Sequence, residues 1–148
     1  MRAVVQRVDN ASVVVNGKEV AAIGKGVLVL LGIHKDDSEK DAQYIVEKIV
    51  NLRIFENEEG KMNLSLLDIG GEVLLVSQFT LLASTKRGRR PDFTQAAPHD
   101  LAKTLFSYSA SLFERYAQTK TGIFGEKMLV SLTNNGPVTL IIDSREKL

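Results

Sequence analysis

Apolar residues follow two different periods along this chain. Val4, Val5 and Val8, then Val13, Val14 and Val15, are β-branched runs that predict strands. Asn16-Gly17 separates the second run from Lys18-Glu19-Val20, which predicts a two-residue hairpin. Gly24-Lys25-Gly26 predicts another turn, leading into Val27-Leu28-Val29-Leu30-Leu31. Such an unbroken apolar run suits a strand buried on both faces. At Ser38 the period changes. Ala42, Ile45, Val46, Ile49 and Val50 recur at helical spacing, and Asp41 stands where a capping box needs its acid.

Farther on, Glu58-Glu59-Gly60-Lys61 reads as a polar turn, and Gly70-Gly71 as the turn before Val73-Leu74-Leu75-Val76. Pro98-His99-Asp100 opens a second helix with Leu101, Leu105, Tyr108 and Leu112 as its apolar face. Met128 to Leu132 and Val138 to Ile142 read as two closing strands. No linker, repeat or low-complexity tract divides the chain. We expect one domain over residues 1–148. Its fold class is α+β: a mixed, partly barrel-like β-sheet packed with two main helices, and not the regular alternation of a doubly wound sheet.

Composition narrows the function classes. With 148 residues and 44% hydrophobic content, the chain can bury a real core. No apolar stretch approaches the roughly 20 residues of a membrane-spanning helix, and the first residues carry no signal-peptide pattern. No membrane association and a cytoplasmic location are therefore expected. Cysteine is absent, which removes disulfides and thiol nucleophiles. The only histidines, His34 and His99, follow turn-like residues and are read as surface or capping groups, so no metal is expected. No cofactor motif is present: Gly24-Lys25-Gly26 lacks the Walker and dinucleotide patterns.

Net charge is only +1, with one local exception. Lys86-Arg87-Gly88-Arg89-Arg90 carries four cations in five residues. It is either a solvated loop or a phosphate-steering one. Just before it, the apolar run ending at Val76 becomes polar at Ser77-Gln78-Phe79-Thr80-Leu81. Ser77, Gln78 and Thr80 with nearby N–H groups could hold a reacting carbonyl, or merely satisfy their own backbone. Near the chain end, Asn135-Gly136-Pro137-Val138-Thr139 places a Gly-Pro pair between apolar runs. Alone it is a turn, although a Gly-Pro bond also fixes carbonyl directions.

At these residues the chain resembles the D-aminoacyl-tRNA deacylases over essentially its whole length. The likeness includes Gln6-Arg7-Val8, Gly26-Val27-Leu28-Val29-Leu30-Leu31-Gly32, Arg53-Ile54-Phe55 and Gly60-Lys61-Met62-Asn63. Its most specific parts are Ser77 to Leu81, Arg90-Pro91-x-Phe93, Thr121-Gly122-x-Phe124 and Asn134-x-Gly136-Pro137-Val138-Thr139.

The resemblance implies a homodimer that hydrolyses the ester between a D-amino acid and the terminal adenosine of tRNA. It implies that Gly136-Pro137 is a cis bond reaching the other subunit's pocket, where its carbonyls exclude L side chains, with Arg7 as its brace. Glycine, lacking a side chain, would pass the same wall. Ser77, Gln78, Phe79 and Thr80 match the segment that receives adenosine and ester. Thr80 is either a nucleophile, which needs an adjacent base that the sequence does not offer, or a bystander to backbone N–H groups and the RNA 2′-hydroxyl. Phe124 and Met128 are expected in the pocket, and Lys86, Arg87, Arg89 and Arg90 on the tRNA. Glu126-Lys127 departs from the family, which often has Ala at the first position. Two other readings remain: a non-catalytic dimeric RNA-binding protein, and a dimer whose Gly-Pro turn only shapes its interface.

Overall fold

A computed structural model describes all residues from Met1 to Leu148. The elements are β1 (Arg2–Val15), β2 (Lys18–Ile23), β3 (Gly26–Gly32), α1 (Glu39–Asn51), β4 (Phe55–Glu56), β5 (Met62–Leu64), α2 (Leu66–Ile69), β6 (Glu72–Ser77), a 3-10 turn (Phe79–Leu82), α3 (His99–Glu114), β7 (Thr119–Thr121) and β8 (Leu129–Asp143). The expected β1–β2 hairpin turns at Asn16 and Gly17, both at positive φ, 50° and 75°. Ser38 caps α1 as expected, with its N–H donating to the Asp41 carboxylate at 2.9 Å. The α1 stripe of Ala42, Ile45, Val46, Ile49 and Val50 is buried throughout.

Strand order in the main sheet is β2-β1-β3-β6-β7, with β8 also pairing with β1. β1 runs antiparallel to β2, β3 and β8, whereas β3–β6 and β6–β7 are parallel. The sheet curls until β2 approaches β7, where Lys120 Nζ donates to the Ala22 carbonyl at 2.8 Å. The result is the mixed α+β fold with a nearly closed, barrel-like sheet. No helix is long and apolar enough to cross a membrane.

Side-chain alternation divides the interior in two. Val27, Val29, Leu31, Val73 and Leu75 face α1 and α3 in the larger core. Leu28, Leu74 and Val76 face inward with Val8, Val13 and Ile23 in the smaller one. The run from Val27 to Leu31 is thus covered on both faces, as its unbroken hydrophobicity predicts. β1 serves both cores, and its change of face falls where the register with β8 shifts around Val8.

Three features differ from the sequence reading. The two expected closing strands are one strand, β8, because both halves pair with β1. The buried face of α3 includes Ala102, Phe106, Ser109, Ala110 and Phe113, while Leu101 and Tyr108 are half-buried. The short elements β4, β5, α2 and β7 carry no periodic signal of their own, being two to four residues long.

Candidate active site

The site grows from the C-terminal ends of the parallel strands β3 and β6. Val73 to Val76 are buried, and Ser77, which ends β6, is half-buried. Gln78 extends the ladder by one bond, its N–H donating to the Leu31 carbonyl at 2.8 Å. The chain then tightens into the 3-10 turn. Gly32 permits this approach: a Cβ there would lie 2.5 Å from Leu82 Cδ2 and 3.0 Å from the Gln78 carbonyl oxygen. The first N–H groups of any helical turn have no acceptor inside it. Those of Phe79 and Thr80 therefore lie at the head of this turn, just past the strand end.

A cavity of about 420 Å³ opens there. Leu31, Ile33, Val76 and Val130 line it, with Ser77, Gln78 and Phe79 on one side and Phe124, Gly125, Glu126 and Met128 on another. Gly122 makes room for the second wall, since a Cβ there would lie 2.5 Å from Met128 Sδ. His99, at the start of α3, also lines the cavity and meets Phe124 edge-on, with ring centroids 5.3 Å apart. Its side chain is 67% exposed, so it is a surface residue as expected, and it also forms part of the cavity rim without making a side-chain cap bond. His34 bonds Gln95 at 3.1 Å, away from this cavity.

Thr80 does not line the cavity. Its hydroxyl accepts a hydrogen bond from the Gln78 side-chain amide. An amide N–H cannot accept the proton that an attacking hydroxyl must lose, and no histidine or carboxylate bonds to Thr80. No group of three or more His, Asp or Glu side chains gathers to hold a metal.

Gly136, Pro137 and Arg7 lie apart from this cavity. Gln6 pairs with Thr139 and Val8 with Asn134, so Arg7 alone faces the four residues from Asn135 to Val138. These four bulge out of β8. Asn134 bridges their base: Val138 N–H donates to its Oδ1 at 2.8 Å, and its Nδ2 donates to the Val138 carbonyl at 3.2 Å. Arg7, only 7% exposed, donates from Nε to the Asn135 carbonyl at 2.8 Å and from Nη1 to the Ile54 carbonyl at 2.7 Å. The Gly136-Pro137 bond is cis. Gly136 sits at φ +138°, and a Cβ there would lie 2.8 Å from Val138 Cγ2 and 3.0 Å from Arg7 Nη2. Position 136 thus requires glycine on both backbone and steric grounds. Gly136 and Pro137 themselves are exposed.

The basic loop borders a separate cleft of about 1080 Å³. Paired bonds between Ser84 and Asp92, 2.8 and 2.9 Å, close the loop between them. Lys86, Arg87, Arg89 and Arg90 are exposed and make no ion pair. Arg2 and Arg145 line the same cleft but are neutralised, Arg2 by Asp143 at 2.8 Å and Arg145 by Asp37 at 3.0 Å. Burial pushes the Asp143 carboxyl up. The N–H groups of Glu146 and Arg145, the Arg2 side chain and the N-terminal ammonium outweigh it and hold that carboxyl below its ordinary 3.8. Asp41 behaves alike: burial raises it, and bonds from Ser38 and Ser144 with nearby cations bring it lower.

Of the candidate residues, Ser77, Gln78, Phe79, Phe124 and Met128 share the cavity, while Thr80, the Gly136 bulge with Arg7, and the basic loop do not line it. The sequence does not mark His99 as a wall residue. Its one signal there is its place at a helix start, which does not say what the helix start faces.

A family model described as D-Tyr-tRNA(Tyr) deacylase matches residues 4–143. Among curated relatives, a D-aminoacyl-tRNA deacylase of Kosmotoga olearia is 57% identical over 147 residues, covering 99% of each chain. One of Thermus aquaticus is 57% identical over 148 residues, covering 99% of this chain and 97% of its own. Among solved structures, a c-Myc DNA Unwinding Element Binding Protein superposes with a TM-score of 0.93 at 42% identity, covering 97% of this chain and 99% of that one. A probable eukaryotic D-amino acid tRNA deacylase superposes with a TM-score of 0.83 at 21% identity, covering 96% and 98%, which speaks to the fold alone. The likenesses define a hydrolase acting on the ester of aminoacyl-tRNA. The chain belongs to the D-Tyr-tRNA(Tyr) deacylase family.

Proposed function

We propose that the protein removes D-amino acids, and glycine, from the 3′-terminal adenosine of tRNA, working as a homodimer in the cytoplasm. The observation that carries this reading is the separation of two built features in one chain. A polar strand end opens on a cavity, and a braced Gly136-Pro137 bulge projects into solvent elsewhere. A two-fold dimer would bring one subunit's bulge to the other's cavity, and closed two-fold symmetry is the commonest arrangement for homo-oligomers. Leu129 and Ile141 on β8 are 63% and 53% exposed, which supplies apolar surface for such an interface.

In this arrangement Ser77, Gln78 and Phe79 receive the adenosine and ester, and Phe124 and Met128 complete the pocket. Water adds to the ester carbonyl carbon. The bond from that carbon to the ribose oxygen breaks, and the oxygen leaves with a proton. Backbone N–H groups at the head of the 3-10 turn stabilise the oxyanion, and the RNA 2′-hydroxyl assists the proton transfer. Thr80 is not the nucleophile, because its hydroxyl is hydrogen-bonded to an amide and has no base.

Chirality is set by exclusion. A pocket that ranks apolar groups separates near-identical substrates by only about 1–3 kcal/mol. The Gly136 and Pro137 carbonyls, on a bulge braced by Arg7 at Asn135 and by Asn134 at Val138, form a wall that cannot yield as a side chain would. An L side chain would point into that wall, a D side chain away from it, and glycine has none. A non-catalytic RNA-binding dimer is the alternative, and it would not need a cavity and a braced bulge together.

Subunit mixing tests the shared site. A Gln78→Ala chain and a Gly136→Val chain, each inactive as a homodimer, should regain about a quarter of the wild-type rate when mixed at equal amounts, since statistical pairing makes half the dimers mixed and each of those rebuilds one of its two sites. A fully active monomer in sedimentation, or no recovery on mixing folded chains, contradicts the proposal.

A further inference from the structure

The deacylase reading assigns the cavity to the terminal adenosine and its ester. It leaves unexplained a pair of exposed aromatic rings just outside. Phe79 is 57% exposed and Phe93 is 38% exposed, and their rings meet edge-on with centroids 5.1 Å apart. Phe79 lines the cavity, while Asp92 and Thr94, the neighbours of Phe93, line the basic cleft. The two rings therefore form the ridge between apolar cavity and cationic cleft.

The ridge is rigid. Phe79 belongs to the 3-10 turn held under Gly32. Phe93 follows the Ser84–Asp92 bridge, the Thr94 N–H donates to Asp92 Oδ1 at 2.7 Å, and the Phe93 carbonyl accepts from the Ala96 N–H at 3.0 Å. Beyond it stands the loop whose four cations make no ion pair, although Arg2 and Arg145 in the same cleft are neutralised. Aromatic faces beside unpaired cations match the chemistry of single-stranded nucleic acid, in which bases stack and phosphates seek positive charge.

We propose that Phe93 and the Lys86–Arg90 loop form a second nucleotide subsite, which takes the base and phosphate of the nucleotide immediately 5′ to the terminal adenosine. This rests on the deacylase reading, because only an adenosine in the cavity fixes where its 5′ neighbour emerges. That neighbour's base stacks on the open face of Phe93, which Phe79 supports from its edge. The phosphate joining the two nucleotides turns toward Arg89 and Arg90. A tRNA body then reaches the loop along its single-stranded 3′ end.

The test compares kcat/KM on 3′-D-tyrosyl-adenosine and on the D-tyrosyl ester of cytidylyl-(3′,5′)-adenosine, for wild type, Phe93→Ala and Phe93→Tyr. In the wild type the added nucleotide should raise kcat/KM by roughly 5- to 150-fold, the worth of one stacked base. Phe93→Ala should bring the ratio of the two substrates close to one, and Phe93→Tyr should restore it. An Arg89→Ser, Arg90→Ser double variant keeps the test decisive if Phe93→Ala does not fold. It should flatten the salt dependence with the dinucleotide ester and leave that with the adenosine ester alone. A wild type that hydrolyses both esters equally well, or a Phe93→Ala variant that keeps the ratio, overturns the subsite. A wild type inactive on both esters and on D-tyrosyl-tRNA overturns the deacylase reading itself.

Discussion

Replacing Arg7 by Met should loosen the Gly136-Pro137 bulge. Met keeps most of the apolar stem and removes the guanidinium. Two hydrogen bonds from a cation disappear, at 2.8 Å to the Asn135 carbonyl and 2.7 Å to the Ile54 carbonyl. Bonds of this kind contribute about 1.5–3 kcal/mol each. The Glu56 carboxylate lies 3.8 Å from Nη2 and is 58% exposed, so that pair adds little. The gross loss is thus about 3–6 kcal/mol, of which the methionine stem recovers a part. We expect at least about 2 kcal/mol less stability in urea unfolding, and faster amide exchange at Val138 and Gly136. Arg7→Lys should fall between the two, since an ammonium keeps the charge but lacks the planar fork that reaches both carbonyls. A loss under about 0.5 kcal/mol with unchanged exchange at Val138 would refute the bracing role.

Other outcomes follow from the same geometry. Thr80→Ala should retain deacylation within about tenfold of wild type, and a folded variant losing more than about 100-fold would favour a role for the hydroxyl in proton transfer or attack. Replacing Lys86, Arg87, Arg89 and Arg90 together by Ala should weaken tRNA binding and flatten its log–log salt dependence by about 0.7 for each single-strand phosphate that is no longer neutralised, and an unchanged slope would make the loop plain surface. Because Asp143 and Asp41 are held below 3.8 in the folded protein, their stabilisation is present above that value and is lost as pH falls through their lowered folded-state values. Asp143→Asn should therefore cost stability at pH 7 and shrink its loss on acidification, and an acid unfolding curve of unchanged steepness would count against this.

The sequence carried the fold where one signal determined one element. Asn16-Gly17 fixed a hairpin, Ser38 with Asp41 fixed a helix start, and Val27 to Leu31 announced a strand covered on both sides. It misled at β8, where a Gly-Pro pair reads as a break. The strand resumes because the chain on both sides of the bulge pairs with β1, while Asn134 closes the base of the four unpaired residues through its bonds to Val138. Ser77 to Phe79 was legible as a polar strand end, but its cavity was not: that depends on Gly32 and Gly122 admitting neighbours from distant segments. The same limit hid His99, whose neighbour Phe124 lies 25 residues away along the chain.

The most direct measurement of the central claim is deacylation of matched D-tyrosyl-, L-tyrosyl- and glycyl-tRNA by the unmodified protein. The account predicts rapid release of D-tyrosine and glycine, with the L-tyrosyl ester decaying no faster than it does without protein. Efficient hydrolysis of L-tyrosyl-tRNA would contradict it.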